Sequence, residues 1–115
     1  MYKKIMCFDL DGVICKTNKK KYLLAKPKKK VINLINSLYK KNKIIIFTAR
    51  YMGRNNENVS KAKKQGYKKT HKQLFEWGLK FHKLKFGKPS YDVFVDDKNF
   101  LFESDWVKKF SKKYL

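Results

Sequence analysis

The stretch from residue 8 to residue 14 reads Phe8-Asp9-Leu10-Asp11-Gly12-Val13-Ile14. It places two carboxylates two residues apart, after an apolar run and before a glycine at which the backbone can turn. Side chains at positions i and i+2 of a strand point the same way, so both acids are expected to face one cavity. Paired acids repel each other unless a cation or a phosphate-handling site offsets their charge. We therefore interpret this pair as part of a chemical site.

The first half of the chain predicts two strands joined by a helix. Ile5–Leu10 is predicted as a short buried strand, and residues 11–27 as a polar, lysine-rich loop. Pro27 is expected to open a helix, because four apolar positions beyond it follow the spacing of one helix face: Val31, Leu34, Ile35 and Leu38. Lys43–Phe47 predicts a second strand, rich in isoleucine as buried parallel strands often are.

The second half predicts a long loop followed by alternating elements. Residues 51–69 are polar and predict a mobile loop, with room for one helical turn. Thr70–Gln73 matches a capping box for a helix that carries Leu74 and Trp77. The remaining predicted elements are a strand over residues 81–86, a strand over 91–95 that ends at Asp96-Asp97, and a helix capped by Ser104. The alternation predicts one α/β domain, residues 1–115, with a mainly parallel, Rossmann-like sheet flanked by helices.

Polar side chains stand at the ends of three predicted strands. Asp9 ends the first strand, Thr48 follows the second and Asp96 follows the last. In open α/β sheets ligands bind beyond the carboxyl ends of the strands. The sequence therefore predicts that these three groups converge on one site.

The composition is strongly basic. The chain has 115 residues, which suits one compact domain, and a formal net charge of +21. Only Arg50 and Arg54 among its 30 basic residues are arginines. A nucleic-acid surface would favour arginine, which makes two-pronged hydrogen bonds to phosphates and guanines. The high lysine content is therefore better explained by the codon usage of an A/T-rich genome. In either case the positive field should attract anionic substrates.

The cysteines and the apolar runs bear on the compartment. Cys7 and Cys15 form no CxxC pair and are expected to be free thiols in a reducing cytosol. No signal peptide is expected, because Ile5–Leu10 is short and contains Asp9. The run 44–47 is far too short to span a bilayer. A cytoplasmic protein without a membrane partner is predicted.

Four motifs, in this order, resemble those of the haloacid dehalogenase (HAD) superfamily, whose members are mostly phosphatases. They are Asp9-Leu10-Asp11-Gly12-Val13, Phe47-Thr48-Ala49-Arg50, Phe86-Gly87-Lys88-Pro89 and the pair Asp96-Asp97. The resemblance covers almost the whole chain and is nearest to small bacterial phosphatases of capsular polysaccharide biosynthesis, which share residues like Trp77 and the run 81–92. It implies a capless enzyme whose open site is restricted by a loop or by a neighbouring subunit. A homo-oligomer is therefore one of the arrangements that the resemblance allows.

The resemblance also implies roles for the residues that handle phosphate. Asp9 would be the nucleophile that attacks phosphorus and forms an aspartyl-phosphate. Asp11 would protonate the leaving group and then activate water. Thr48, Ala49 and Lys88 would hold the phosphoryl oxygens and stabilise the developing charge.

A magnesium ion is the implied cofactor. Its ligands would be the carboxylate of Asp9, the backbone carbonyl of Asp11 and the carboxylate of Asp96, and it would offset the repulsion between nucleophile and phosphate. Asp97 would lie in the outer sphere of the metal or ligate it directly. Arg50 follows the second motif and could contact the substrate or form a surface salt bridge.

Three functions are compatible with these residues. The preferred one is a Mg²⁺-dependent phosphomonoesterase acting on a small phosphorylated metabolite, such as a sugar or polyol phosphate. A polynucleotide 3′-phosphatase would use the same chemistry and the positive charge, but the chain has few arginines and no aromatic–basic recognition run. A non-catalytic nucleic-acid or polyanion binder would have no need of Asp11 as a general acid.

Overall fold

The computed structural model describes residues 1–115 and shows strands alternating with helices. The strands are β1 (Ile5–Asp9), β2 (Cys15–Lys16), β3 (Lys26–Pro27), β4 (Lys43–Thr48) and β5 (Lys83–Phe86). The α-helices are α1 (Lys29–Leu38), α2 (Val59–Glu76) and α3 (Trp106–Tyr114), and short 3₁₀ helices span Tyr22–Leu24 and Gly53–Asn55. None of these helices combines the length and apolar character that crossing a membrane requires.

A three-stranded parallel sheet, in the order β1-β4-β5, lies at the centre and is flanked by helices. This confirms the predicted α/β class and parallel sheet. The register pairs Asp9 with Phe47 on β4, and Thr48 with Phe86 on β5. The carboxyl ends of all three strands therefore lie at one edge, and Lys88 follows two residues beyond the end of β5.

The core fixes β1 and α1 in place. Five residues of α1 are buried, including the four predicted from helical spacing: Val31, Ile32, Leu34, Ile35 and Leu38. Helix α1 also packs against α3, whose Phe110 ring lies 5.6 Å from the Phe8 ring of β1. Strand β1 is buried on one face only, since Met6 and Phe8 are buried whereas Ile5 is 68% exposed. Asp9 thus extends from a well-packed strand toward the more open face.

The prediction of a loop over residues 51–69 is wrong for most of that range. Helix α2 begins at Val59 and continues through Thr70, which is buried in the helix rather than capping it. The cap is Asn58, whose side chain accepts a hydrogen bond from the Lys61 N–H at 2.9 Å. The helix was not recognised because most of its buried residues are small or polar, namely Ala62, Gly66, Thr70 and Gln73, and Leu74 is the one large apolar residue among them.

The strand predicted over residues 91–95 is absent, and the segment lies outside the sheet. Val93 is 80% exposed and Val95 is 88% exposed. The chain here is held by other contacts: the Ser90 N–H donates to the Glu57 carboxylate at 2.8 Å, and the Tyr91 ring lies under the Lys88 ammonium. An alternating pattern of apolar residues does not show whether a neighbouring strand has a free edge with which the segment can pair.

Residues 11–27 also differ from the predicted loop. They contain the two-residue strands β2 and β3, which pair antiparallel with Cys15 opposite Pro27. Helix α1 starts at Lys29, two residues after the predicted opening at Pro27. Strands of two residues are too short to produce a recognisable sequence pattern.

Candidate active site

Asp9 and Lys88 form an ion pair at the carboxyl edge of the sheet. The Lys88 Nζ lies 3.3 Å from Oδ2 of Asp9, and the Lys88 side chain is only 10% exposed. The other oxygen of Asp9 accepts a hydrogen bond from the Leu10 N–H at 2.9 Å. Gly87, at a φ of +101°, lets the chain turn after β5 and direct Lys88 toward β1.

Burial and pairing oppose each other at both members of this pair, and burial prevails only at Asp9. Loss of water raises the pKa of the Asp9 carboxyl above its ordinary value of 3.8, although the nearby Lys88 charge opposes the rise. For Lys88, burial alone would lower the pKa, but the hydrogen bond with Tyr91 and the charge of Asp9 raise it above 10.5. An ion pair by itself would lower the pKa of its acid, so desolvation is the stronger influence on Asp9.

Thr48 is the last residue of β4 and does not line the cavity described below. It is buried, and its hydroxyl oxygen accepts a hydrogen bond from the Arg50 N–H at 3.1 Å. Its carbonyl accepts from the Lys88 N–H at 3.1 Å, which ties the end of β4 to the lysine. The hydroxyl proton of Thr48 is left available to donate, while Ala49 lines the cavity described below.

Arg50 forms a buried, two-pronged ion pair with Asp11. Its Nε donates to Oδ2 of Asp11 and its Nη2 donates to Oδ1, both at 2.9 Å. The Arg50 side chain has no exposure to solvent, whereas the side chain of Asp11 is 25% exposed. This differs from the sequence expectation that Arg50 contacts a substrate or lies at the surface, because its guanidinium is occupied by a protein carboxylate.

Helix α2 holds Arg50 from the side opposite Asp11. The Arg50 Nη1 donates to the Gln73 side-chain oxygen at 2.6 Å and lies 3.5 Å from the Thr70 hydroxyl. The Gln73 side-chain amide donates in turn to the Tyr22 carbonyl at 2.8 Å. Sequence reasoning missed Thr70 and Gln73 because no local pattern connects residues of a helix to a partner 20 or more positions away.

Two residues of the β2 region complete the environment of Asp11. The Thr17 hydroxyl donates to Oδ1 of Asp11, and the Cys15 thiol lies 3.5 Å from the same oxygen. Burial raises the pKa of Cys15 to about 11, so this thiol is neutral at physiological pH. Cys15 is therefore a packing residue here, although its proximity to two charged groups could suggest reactivity.

A cavity of about 360 Å³ opens at this edge of the sheet. It brings together five of the residues singled out in the sequence: Asp9, Asp11, Ala49, Arg50 and Lys88. Four other residues line it to which the sequence assigned no role: Tyr22, and Pro89, Ser90 and Tyr91 of the run 81–92. The candidate site thus has an acidic floor paired with cations and a partly aromatic mouth.

Asp96 and Asp97 do not join this cluster. Both are exposed, neither lines the cavity, and the Asp96 carboxylate accepts a hydrogen bond from the Lys98 N–H at 3.2 Å. The structure contains no group of three or more His, Cys, Asp or Glu side chains placed to hold a metal. Two of the three expected ligand residues, Asp9 and Asp11, therefore lie in the cavity. The third, Asp96, lies outside it because the strand that should present it is absent.

Comparisons with known proteins agree with the fold. No protein-family model and no curated protein matches the chain. Among solved structures, the crystal structure of an MCSG target from Vibrio cholerae is similar, with a TM-score of 0.79 over 96% of this chain and 98% of the other. The two sequences are 22% identical, so the likeness concerns the arrangement of strands and helices. The chain shares its α/β fold with that Vibrio cholerae protein.

Proposed function

We propose that the protein is a phosphomonoesterase of the haloacid dehalogenase type. The observation that carries the proposal is the Lys88 ammonium 3.3 Å from the Asp9 carboxylate, in a cavity shared with Asp11 at the carboxyl edge of a parallel sheet. A nucleophilic carboxylate beside a cation suits attack on a phosphate, because the cation can hold the phosphoryl oxygens. The four sequence motifs and their order support the same chemistry.

In the proposed reaction, Asp9 attacks phosphorus and the bond to the leaving oxygen breaks. Lys88 then shares its hydrogen bonds between Asp9 and the phosphoryl group. The Thr48 hydroxyl, which is buried and does not line the cavity, would have to turn toward it to reach a second phosphoryl oxygen. Water subsequently attacks the phosphorus of the aspartyl-phosphate, which releases inorganic phosphate and restores Asp9.

Asp11 is the proposed proton donor and acceptor. It must give a proton to the leaving oxygen and later take one from the attacking water. In the structure both of its oxygens accept hydrogen bonds from Arg50, so at least one of these bonds must be released when Asp11 turns to the substrate. Arg50 is thus proposed as the residue that positions Asp11.

Magnesium is the proposed cofactor, and the residues present fit it in part. The Asp9 carboxylate and the Asp11 carbonyl are hard oxygen ligands of the kind Mg²⁺ prefers. Ligation by Asp96 requires residues 91–97 to leave the arrangement seen here, because Asp96 is exposed. When bound, the metal would supply positive charge against the phosphate. A cytoplasmic location and a role in polysaccharide biosynthesis belong to the same proposal, as does Asp97 as an outer-sphere residue.

Phosphate release in the presence of Mg²⁺ tests the proposal. The substrates are p-nitrophenyl phosphate, sugar phosphates, polyol phosphates and nucleotides. We expect Asp9→Asn to lose about a thousandfold or more in kcat/KM. Asp105→Asn, an exposed aspartate outside the cavity, is the matched control and should keep the wild-type rate. Full activity in Asp9→Asn would show that Asp9 is not the nucleophile.

A further inference from the structure

The guanidinium of Arg50 is held by more of the protein than the carboxylate with which it pairs. A guanidinium carries five N–H donors. Two donors of Arg50 go to Asp11, at 2.9 Å each. Its other contacts are to neutral groups: the Gln73 side-chain oxygen at 2.6 Å, the Thr70 hydroxyl at 3.5 Å and the Cys15 sulfur at 3.9 Å. The donors of Arg50 are therefore divided between one carboxylate and a set of neutral acceptors.

Arg50 and Asp11 differ in their freedom to move. The Arg50 side chain has no exposure to solvent, whereas the Asp11 side chain is 25% exposed and lines the cavity. Water cannot replace a partner that Arg50 loses, and a buried cation without a partner is costly. The proposed reaction requires Asp11 to turn to the substrate. At that moment Arg50 must keep its place through the neutral acceptors.

Gln73 makes the shortest of these neutral contacts, and two partners of opposite polarity fix its amide. Its side-chain oxygen accepts from Arg50, and its side-chain nitrogen donates to the Tyr22 carbonyl at 2.8 Å. A methionine at this position would do neither, and a glutamate would set a carboxylate against the carbonyl without a proton to donate. Among side chains of this length, glutamine is the one that satisfies both partners.

The same glutamine connects helix α2 to the wall of the cavity. Tyr22 lines the cavity, and its ring centroid lies 5.0 Å from Cζ of Arg50, within the range of a cation–π contact. Thr70 and Gln73 are three positions apart on α2 and therefore share one face of the helix. Apolar residues at these positions would pack without the cost of burying polar groups. Their polarity is therefore better explained by the contact with Arg50 than by packing.

We propose that Gln73 is a positioning residue, which holds Arg50 in place while Asp11 leaves the ion pair to transfer a proton. The inference rests on the proposed function and adds to it a residue of α2 that lies outside the cavity lining. The proton passes from the Asp11 carboxyl to the leaving oxygen as the bond from phosphorus to that oxygen breaks. The carboxylate that results then pairs with Arg50 again. Without Gln73, Arg50 follows Asp11 toward the cavity, and the proton transfer becomes slower.

The leaving group of the substrate reveals whether Gln73 serves proton transfer. The p-nitrophenolate ion is stable and leaves without a proton, whereas the alkoxide of glycerol phosphate must be protonated as it leaves. The ratio kcat/KM covers the steps up to departure of the leaving group, so the later attack of water does not affect it. General acid catalysis contributes about 10²–10⁴-fold, so Gln73→Met should lower kcat/KM for glycerol phosphate by about tenfold or more and that for p-nitrophenyl phosphate by less than about threefold.

Gln65→Met is the matched control on the same helix. Gln65 is exposed, and its side-chain oxygen accepts a hydrogen bond from the Asn55 amide at 2.7 Å. This variant should keep the wild-type kcat/KM for both substrates. Equal losses on the two substrates in Gln73→Met, or no loss on either, would overturn the inference and leave the phosphatase proposal standing. Failure of the wild-type protein to hydrolyse either substrate would overturn the proposed function and the inference with it.

Nuclear magnetic resonance tests the hold on Arg50 without turnover. The chain has two arginines, so the Nε–H signals come from Arg50, which is buried and bonded to Asp11, and from Arg54, which is exposed. Exchange of the Arg50 Nε–H with solvent should be slow, and Gln73→Met should speed it by about tenfold or more. Equally slow exchange in Gln73→Met would show that Asp11 alone holds Arg50 and would overturn the inference.

A second variant keeps the test usable if Gln73→Met does not fold. Thr70→Val removes only the hydroxyl that lies 3.5 Å from Nη1 of Arg50. It should lower kcat/KM for glycerol phosphate more than that for p-nitrophenyl phosphate, by a smaller factor than Gln73→Met. Equal effects on the two substrates in this variant would also count against the inference.

Discussion

Replacement of Arg50 by methionine should destabilise the fold strongly, because it removes the buried cation on which Asp11 depends. The variant deletes two hydrogen bonds of 2.9 Å to Asp11 and the 2.6 Å bond to Gln73. Removing one partner of a buried ion pair costs about 3–5 kcal/mol. Asp11 is 25% exposed, so water can reach part of its charge, and we expect a loss of about 2–4 kcal/mol. For a domain of this size that corresponds to a fall in Tm of about 8–16 °C.

The chain offers a matched control for this experiment. Arg54 is the other arginine of the chain. It is exposed, and its guanidinium lies against the rings of Tyr22 and Tyr51. Arg54→Met should therefore cost about 1 kcal/mol or less. Urea unfolding followed by far-ultraviolet circular dichroism measures both values. Equal losses in the two arginine variants would refute the reasoning that the Asp11–Arg50 pair supports the fold.

A double-mutant cycle assigns the loss to the pair itself. Asp11→Asn keeps the shape of the side chain but removes its charge, so Arg50→Met should cost less in that background. We expect a coupling energy of about 1–3 kcal/mol between the two positions. A coupling near zero would show that Arg50 acts through α2 and not through Asp11.

Three further predictions concern packing, a backbone hydrogen bond and a thiol. Gly66→Ala should destabilise the protein by about 1–3 kcal/mol in urea unfolding, because the new Cβ would lie 2.1 Å from the Tyr51 ring. The same change usually stabilises a helix. A gain in stability would therefore contradict the packing of Gly66 against Tyr51. His82→Leu should cost about 1–3 kcal/mol because the buried Ile44 N–H donates to its Nδ1 at 2.9 Å, whereas His82→Asn restores an acceptor and should recover part of the loss. With a pKa of about 11, Cys15 should resist a disulfide reagent at pH 8 until the protein unfolds, and modification of both cysteines in the folded protein would refute this.

The sequence predicts best where local pattern and tertiary structure agree. The paired acids follow a strand whose alternate residues are buried, so Asp9 could be placed at a sheet edge from its apolar neighbours alone. Thr48 follows an isoleucine-rich strand in the same way. Lys88 needed the family resemblance, because one lysine among so many carries no pattern of its own.

The sequence predicts poorly where a residue's role depends on a distant partner. Gln73 looks like a surface position of a polar helix, yet it is buried because Arg50 needs an acceptor there. The segment 91–95 has the composition of a strand, but it does not pair with the sheet, and the residues before it contact other parts of the chain through Lys88, Ser90 and Tyr91. Hydrophobic periodicity reports burial along one element and cannot report such contacts between elements.

The repulsion between the two acids, which made the opening stretch conspicuous, is offset by the protein itself. Arg50 neutralises Asp11 and Lys88 neutralises Asp9, so the carboxylates and cations of the cavity sum to zero charge. A phosphate dianion entering this cavity adds two negative charges. At a separation of 4 Å and an effective dielectric constant of 20, each unit of uncompensated charge costs about 4 kcal/mol. Phosphate and Mg²⁺ should therefore bind the proposed site together more tightly than either binds alone.

Calorimetry measures this coupling without any turnover. We expect saturating Mg²⁺ to strengthen binding of inorganic phosphate by tenfold or more, equivalent to about 1.4 kcal/mol of coupling. Reciprocity requires phosphate to strengthen Mg²⁺ binding by the same factor. Asp96→Asn should reduce the coupling if residues 91–97 rearrange to ligate the metal, and leave it unchanged if Asp96 stays exposed as in the structure. Phosphate affinity that is indifferent to Mg²⁺ would show that Arg50 and Lys88 supply all the positive charge the site uses.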